Sequence, residues 1–310
     1  TKKTGKTLDP VDNIADIAET VGRIQSLVDG SLSNNSETRF TYMIGNNGLG
    51  KSRILRELAD RYEDAEDSAV SSILCVTNTL YDRFDISKKT EKTKYLGARN
   101  ASNAVFHTAV DRALARYILN GISTTNRFVA KLKKAIDVEI SLRMPGVVRP
   151  DRKLPIESHV DRRKVKNTTV AQRLGREDFQ IVRALLHTTI KLASLSKAKA
   201  RALMAFLEMN PDVTILVKKA GHTKLLSFTA LSSGEKNRIL TAAKVLSHVQ
   251  DHCLILIDEP ETSLHLHWQM SFHESLVDML KEISNFHVVI ATHSPIIVSQ
   301  CADLDDVEIV

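Results

Sequence analysis

Two adjacent carboxylates, Asp258 and Glu259, follow the apolar run CLILI and are placed to act on a bound substrate. Such a run predicts a strand buried on both faces, and α/β sheets bind their ligands at the carboxyl ends of such strands. There one carboxylate can hold the water shell of Mg²⁺, while the other orients and deprotonates an attacking water. The alternative use of an acidic pair after a strand is a helix cap.

A second segment whose residue spacing indicates a chemical role is GNNGLGKS, which has the pattern G-x-x-x-x-G-K-S. The run RFTYMI before it predicts a strand, and RILRELADRY after it has apolar residues at helical spacing. Glycines let the backbone N–H groups of such a loop surround a phosphate, and the helix N-terminus favours its negative charge. The alternative is a purely structural turn. The predicted phosphate contacts are Gly45, Asn46, Asn47, Gly48, Leu49, Gly50, Lys51 and Ser52, with Lys51 reaching the β- and γ-phosphates and Ser52 ligating magnesium.

Two further segments narrow the class of nucleotide-binding protein. The segment LSSGEKNRI begins at Leu231 and precedes the Asp258 strand by about the length of one helix. The segment FHVVIATHSP predicts another strand, which ends at His293. Each is a weak signal alone, but the four segments in this order are a specific combination.

In this order, the four segments resemble the motifs of non-transporter ABC ATPases of the RecF, SMC and OLD group. LSSGE is similar to the LSGGQ signature of these enzymes, with Ser233 replacing the first glycine and Glu235 replacing glutamine. The strings DEPETSLHLHWQ and THSP are similar to the OLD-like branch. Within that branch, VTNTLYDRF and KYLGARN resemble the ATPases of Septu-type and retron-associated antiphage systems.

The resemblance implies a head-to-tail homodimer of ATPase heads, with ATP and Mg²⁺ bound between them. Ser52 and Asp258 are then the magnesium side of the site, Glu259 is the general base, and His293 faces the γ-phosphate. The signature of one subunit contacts the nucleotide held by the other. The implied contacts in trans are Ser232, Ser233, Gly234 and Glu235.

Asn78 marks a departure from transporter ATPases, which carry a glutamine after the strand that follows the phosphate-loop helix. Here the corresponding strand, SSILCV, ends in TNT. Asn78 is the best equivalent for a contact on the magnesium and water side. A structural turn is the alternative role for this asparagine.

The predicted fold is α/β, an ABC-type P-loop ATPase head with a mainly helical insertion between the phosphate loop and the signature. The predicted domains are an N-terminal helix and lobe over residues 1–96, a helical and basic insertion over 97–205, and a second lobe over 206–310. Three segments of the insertion predict helices. They are ASNAVFHTAVDRALARYILNGI, TTNRFVAKLKKAIDVEISL and EDFQIVRALLHTTIKLASL.

A basic stretch lies between the second and third of these segments and predicts long loops or an exposed connector. Its cations could bind a phosphate backbone, which requires charge and little else. The alternatives are a solvated linker or a surface for an acidic protein. The stretch carries Arg149, Arg152, Lys153, Arg162, Arg163, Lys164, Lys166, Arg173 and Arg176.

The composition of the chain excludes several other classes of protein. The chain has 310 residues, 43% of them hydrophobic, and a net charge of +6. No stretch approaches the roughly 18 to 20 apolar residues of a spanning helix, so we expect a cytoplasmic protein without a membrane partner. The three cysteines have neither a disulfide nor a zinc spacing.

No nuclease motif is visible, and the chain ends at DDVEIV, where OLD nucleases continue into a Toprim domain. We therefore expect any effector, most simply a nuclease, in another polypeptide or in sequence beyond Val310. Three alternatives to a defence ATPase remain at this point. They are a RecF- or SMC-like repair or chromosome-maintenance ATPase, a scaffold that holds ATP without hydrolysing it, and a transporter subunit, which the missing glutamine disfavours.

Overall fold

The computed structural model describes most of the chain as two compact units, residues 1–100 with 249–310 and residues 101–248. The residues described are 12–33, 37–46, 48–65, 67–79, 82–84, 90–97, 107–145, 174–209, 211–262 and 264–310. The predicted insertion, 97–205, falls largely within the second unit, which also holds residues 206–248.

The first unit is built on a six-stranded parallel sheet. Its strands run in the order β10, β1, β9, β8, β2, β3. The central strands β8 and β9 are buried along their whole length, as expected for strands covered on both faces. The bounds are β1 Phe40–Ile44, β2 Ser72–Thr77, β3 Thr93–Leu96, β8 Cys253–Asp258, β9 Phe286–Thr292 and β10 Val307–Ile309.

Neighbouring residues of each strand point to opposite faces of this sheet, so apolar residues lie on both faces. Helices cover both of them. On one side, α1 (Asp12–Leu32) and α2 (Lys51–Asp64) bury apolar residues in a cluster that includes Met43 of β1. The preceding residue of β1, Tyr42, points to the other side and bonds His273 of α9 (Phe272–Leu280). Two short helices, α8 (Leu266–Met270) and α10 (Pro295–Ser299), complete the described helices of the unit.

The second unit combines helices with a four-stranded antiparallel sheet in the order β5, β4, β6, β7. One face of the sheet supplies buried residues such as Ile140, Leu142 and Val217. The side chain of Asp111 ties a helix to this sheet, because its Oδ2 accepts the Ile215 backbone N–H at 3.2 Å. The bounds are α3 His107–Thr124, α4 Phe128–Ile136, β4 Val138–Arg143, α5 Arg176–Leu185, β5 Thr189–Lys191, α6 Lys197–Leu207, β6 Thr214–Lys219, β7 Leu226–Ser227 and α7 Ser233–His248.

The α/β class is confirmed, but two helices predicted in the insertion were too long. TTNRFVAKLKKAIDVEISL is helical only through Ile136 and then forms β4. Asp137 separates the two elements in a left-handed conformation, with φ 52°, which ends the helix abruptly. EDFQIVRALLHTTIKLASL likewise gives α5 and then β5.

The basic stretch lies almost entirely outside the described residues. Of its nine cations, Arg176 alone is described, as the first residue of α5 and exposed. Nucleic-acid binding by Arg149 to Arg176 therefore stays a prediction.

Candidate nucleotide site

The register of the parallel sheet brings four of the predicted segments to one edge. Ile44 at the end of β1 pairs with Thr292 of β9, and Ala291 of β9 pairs with Asp258 of β8. Asp258 in turn pairs with Thr77 at the end of β2. The phosphate loop, His293, Glu259 and Asn78 each follow one of these strands, so neighbouring strands deliver all four to the same edge.

The phosphate loop has the backbone that its glycines allow. Gly48 and Gly50 have φ values of 90° and 89°, a region that residues with a Cβ rarely adopt. Helix α2 then begins at Lys51, and no side chain caps its N-terminus. The Lys51 ammonium donates to the backbone carbonyls of Gly45 at 2.6 Å and Asn46 at 3.0 Å. The loop thus joins a helix N-terminus to a cation, which suits a phosphate.

Asn47 and Leu49 are the two middle residues of the predicted loop that remain. Asn47 lies outside the described residues, so its predicted contact stays a prediction. Leu49 is 54% exposed. A Cβ added at Gly45 would lie 3.0 Å from the Leu49 Cδ1, so the start of the loop has little space for a side chain.

Ser52 and Asp258 meet at the base of the loop. The Ser52 hydroxyl donates to the Asp258 Oδ1 at 3.1 Å. Asp258 is only 3% exposed, and this burial raises the pKa of its carboxyl to about 6, with the Ser52 bond acting in the opposite direction. The charges of Glu259, Asp82 and Glu261 raise that pKa further.

This pair fits a magnesium ion. A hydroxyl and a carboxylate are oxygen ligands of the kind that Mg²⁺ prefers, and Mg²⁺ usually takes only one or two carboxylates beside water and phosphate oxygens. A buried carboxylate surrounded by other acids also gains from a nearby cation. Ser52 and Asp258 would hold the ion, which would neutralise phosphate charge.

Glu259 has a strained backbone. Its φ of 48° lies in the left-handed region, which is unfavourable for a residue with a Cβ. The Glu259 N–H donates to the Ala291 carbonyl of β9 at 2.9 Å, and its own carbonyl accepts from Thr262 at 3.2 Å. These bonds hold the turn that carries the carboxylate out of the sheet edge. Strain of this kind is concentrated at functional sites.

Glu261 is a residue of this edge that the sequence did not single out. Its Oε1 accepts both the backbone N–H of His293 at 2.7 Å and the His293 Nδ1 at 2.9 Å. Glu261 is buried, whereas the His293 side chain is 44% exposed. The available signal was Glu261 as the third acid of DEPE, but its partner His293 lies 32 residues away in the chain.

Asp82 is a second acid that was not singled out. It is buried at 6% exposure, its Oδ1 accepts the Phe84 N–H at 3.2 Å, and its Oδ2 accepts the Tyr95 hydroxyl at 2.8 Å. Its charge is among those that raise the pKa of Asp258. Asn78 is half-buried and follows Thr77, whose Oγ1 accepts the Thr79 N–H at 3.1 Å. The contact predicted for Asn78 stays a prediction.

The signature segment lies in the second unit and begins α7 with a capping box. The Ser232 N–H and hydroxyl both donate to the Glu235 Oε2 at 3.0 Å, and the Ser232 Oγ accepts the Glu235 N–H at 3.3 Å. Lys219 Nζ lies 2.5 Å from the Glu235 Oε1. Burial acts to raise the pKa of Glu235, but these bonds outweigh it and lower the pKa. Glu235 therefore stabilises the start of α7 through contacts within its own unit. Ser232 and Ser233 are exposed, and Gly234 is buried.

A cavity of about 400 Å³ also lies in the second unit, lined by residues of α4 and of the open sheet face. Three of its lysines, Lys133, Lys191 and Lys218, surround Glu139 and lower the pKa of its carboxyl, chiefly through the Lys133 bond. The cavity lining includes none of the predicted nucleotide residues. With three lysines and one glutamate in its lining, the cavity is basic.

Among the described helices, none combines the length and the apolar character needed to cross a bilayer.

A family model described as "AAA domain, putative AbiEii toxin, Type IV TA system" matches residues 150–299, just under half of the chain. The match includes the signature segment, Asp258, Glu259 and His293, while the phosphate loop precedes it. A search of curated proteins returned no match. The family match supports a P-loop ATPase of a non-transporter family, and with it ATP binding and hydrolysis.

Proposed function

We propose that this protein binds ATP with Mg²⁺ at the edge formed by β1, β9, β8 and β2, and hydrolyses it to ADP and phosphate. The observation that carries the proposal is the 3.1 Å bond between Ser52 of the phosphate loop and Asp258. It joins the residue that follows the loop lysine to the buried carboxylate of a neighbouring segment, as a shared magnesium site requires. Lys51 and the N-terminus of α2 supply positive charge for the phosphates.

The chemistry assigns Glu259 to the attacking water. Its backbone bonds hold it at the sheet edge, one residue beyond the magnesium ligand Asp258. The carboxylate orients the water and takes its proton as the water oxygen bonds to the γ-phosphorus and the bond to the ADP oxygen breaks. A site that only holds ATP has no use for a positioned base, so Glu259 favours hydrolysis over a scaffold role.

The working form in this proposal is a head-to-tail homodimer. The exposed Ser232 and Ser233 at the start of α7 offer hydroxyls and a helix N-terminus to the nucleotide of a second subunit. Each site then lacks part of its γ-phosphate contacts until two subunits meet, because phosphoryl transfer depends mainly on positioning and charge stabilisation. ATP closes the dimer, and hydrolysis releases it.

We further propose that this cycle controls a separate effector, most simply a nuclease, in antiphage defence. The matched family is described as a putative toxin of a type IV toxin–antitoxin system, which is in keeping with a regulated effector. The second candidate is a RecF- or SMC-like repair or chromosome-maintenance ATPase, which the order of the four motifs equally supports. Mass spectrometry of the tagged protein purified from its own genomic neighbourhood separates them. A stoichiometric nuclease supports the first, and replication or repair proteins with heterogeneous duplex DNA support the second.

Steady-state ATP hydrolysis with matched variants tests the site itself. Lys51→Ala is expected to weaken ATP binding on the order of ten-fold or more, because it removes the cation of the loop. Glu259→Gln is expected to bind ATP, to hydrolyse it on the order of 10²-fold more slowly, and to accumulate as closed dimers. Arg53→Ala, an exposed neighbour on α2, is the control. Wild-type turnover in Glu259→Gln would show that Glu259 is not the base.

A further inference from the structure

Glu261 and His293 are joined by two contacts, one to the backbone and one to the ring. One oxygen of Glu261 accepts two bonds from the same residue, from the His293 backbone N–H at 2.7 Å and from the ring Nδ1 at 2.9 Å. The first bond fixes the backbone at the end of β9, and the second fixes the rotation of the ring. A single buried carboxylate thus controls both the position and the direction of the imidazole.

The bond also determines which ring nitrogen is available. An ionised carboxylate has no proton to donate, so Nδ1 carries the proton in this contact. Nε2 lies on the other side of the ring and takes no part in the bond to Glu261. Since 44% of the side chain is exposed, the ring is accessible at the sheet edge, and Nε2 is the nitrogen left for a ligand.

Only one of the two carboxylate oxygens of Glu261 is used in these bonds. Its Oε2 is buried and has no hydrogen-bond partner among the described residues. Leaving an acceptor buried and unpaired is unfavourable. A buried polar atom without a partner calls for an explanation, and a role in orienting the exposed His293 supplies one.

A second contact reinforces the same loop. The Ser294 hydroxyl donates to the Gln269 Oε1 at 2.7 Å, and the Gln269 Nε2 donates to the Leu264 carbonyl at 3.0 Å. The segment that follows Glu259 therefore holds the His293 loop at two places. Glu259 and His293 are positioned by one connected set of hydrogen bonds.

We propose that Glu261 is the positioning residue of this site, which fixes the rotamer and tautomer of His293 so that Nε2 faces the γ-phosphate of ATP. The inference rests on the proposed function, because it assigns the γ-phosphate as the group that His293 meets. Glu261 itself acts only through the imidazole.

A double-mutant experiment on ATP hydrolysis tests this dependence. Glu261→Ala and His293→Ala are each expected to lower kcat on the order of 10²-fold with KM nearly unchanged, as when one positioned transition-state contact is lost. The double variant is expected to be no slower than His293→Ala, because Glu261 has nothing left to orient. Glu274→Ala, an exposed glutamate on α9, is the control. A further loss of more than about three-fold in the double variant would overturn the proposal.

Glu261→Gln keeps an acceptor oxygen at the same place and guards against a Glu261→Ala protein that does not fold. It is expected to turn over faster than Glu261→Ala, or faster than His293→Ala if the alanine variant is insoluble. If Glu261→Gln turns over no faster than the alanine variant with which it is compared, the positioning role is contradicted.

A second measurement needs no turnover. The nitrogen spectrum of ¹⁵N-histidine-labelled protein, with the His293 signal assigned from its loss in His293→Ala, is expected to show the Nδ1–H tautomer. Glu261→Gln is expected to keep this tautomer, and Glu261→Ala to lose it. An Nε2–H tautomer in the wild type would overturn the proposal. If the Nδ1–H tautomer is found but Lys51→Ala hydrolyses ATP like the wild type, the proposed function fails while the Glu261–His293 relationship stands.

Discussion

The Ser52 hydroxyl donates a hydrogen bond to the Asp258 carboxylate at 3.1 Å, although 206 residues separate them in the chain. The bond connects the first turn of α2 with the end of β8, and it lies where two parallel strands present their carboxyl ends. Burial raises the pKa of the Asp258 carboxyl group and so disfavours its ionised form. Asp258 is therefore suited to a cation, and in the absence of one it weakens the fold near neutral pH.

The first prediction concerns Asp258→Asn and pH. The folded-state pKa is about 6, raised above the usual aspartate value of 3.8, so the folded state binds the proton more tightly than the unfolded state. The resulting stability is fully present below pH 3.8 and is lost as pH rises through 6. This difference in pKa corresponds to a loss of about 3 kcal/mol at most in the free energy of unfolding. Asp258→Asn is expected to escape this loss and to be more stable than the wild type at pH 7, but to lose turnover.

Urea unfolding without nucleotide at pH 4 and at pH 7 measures this difference. The stability gap between variant and wild type should widen between the two pH values. Asp303→Asn, an exposed aspartate of the same unit, should show no such widening. An equal gap at both pH values would show that the charge of Asp258 does not oppose folding.

The second prediction concerns Glu259→Gly. The φ of 48° is unfavourable for glutamate by about 1 to 2 kcal/mol, whereas glycine adopts it freely. Glycine also gives the unfolded chain more freedom, so a net gain in unfolding free energy of up to about 1 kcal/mol is expected, with turnover lost. Asp303→Gly, which is exposed, is the comparison for glycine in the unfolded state. If Glu259→Gly is less stable than the wild type, the carboxylate stabilises the turn and the strain argument is wrong.

The sequence predicted the parts of the site that depend on local patterns. The phosphate loop, Asp258, Glu259 and His293 each stand next to a strand whose apolar run is evident, and parallel strands bring their carboxyl ends together. Glu261 and Asp82 were missed because their roles arise from contacts across the fold, which spacing does not encode. Strand β4 was missed because only one residue, Asp137, separates it from α4. No glycine or proline marks the boundary, so the mixed polar and apolar pattern continues from the helix into the strand.

The third prediction concerns the basic stretch, and it tests whether charge there serves a nucleic acid. Neutralising Arg162, Arg163 and Lys164 to glutamine is expected to lower affinity for a polyanion and to flatten its dependence on salt by up to about 3 in the logarithmic slope. Binding to a duplex and to a single strand across a salt series measures both quantities. Replacing Lys133, Lys191 and Lys218 of the cavity removes the same number of charges and serves as the matched control. An unchanged slope in the first variant would leave the stretch as a linker.

The fourth prediction concerns the sharing of a site between subunits. If Ser232 serves the nucleotide of the other subunit, Ser232→Arg blocks turnover in a dimer of identical chains although every phosphate loop is intact. A mixed dimer of one Ser232→Arg chain and one Lys51→Ala chain then has both defects in one site and none in the other. It is expected to recover up to half of the wild-type rate, while each parent dimer is nearly inactive.

Loss of the capping box is the competing explanation for a dead Ser232→Arg chain, because replacing an N-cap serine weakens a helix by about 1 kcal/mol. Ser232→Ala removes the same cap without adding bulk or charge, and Ser232→Thr keeps the hydroxyl. If the bulk and charge of arginine are what stop turnover in Ser232→Arg, Ser232→Thr should hydrolyse ATP well and unfold like the wild type. A mixed dimer that stays inactive, with both chains folded and associated, would mean that each subunit needs its own phosphate loop and its own signature.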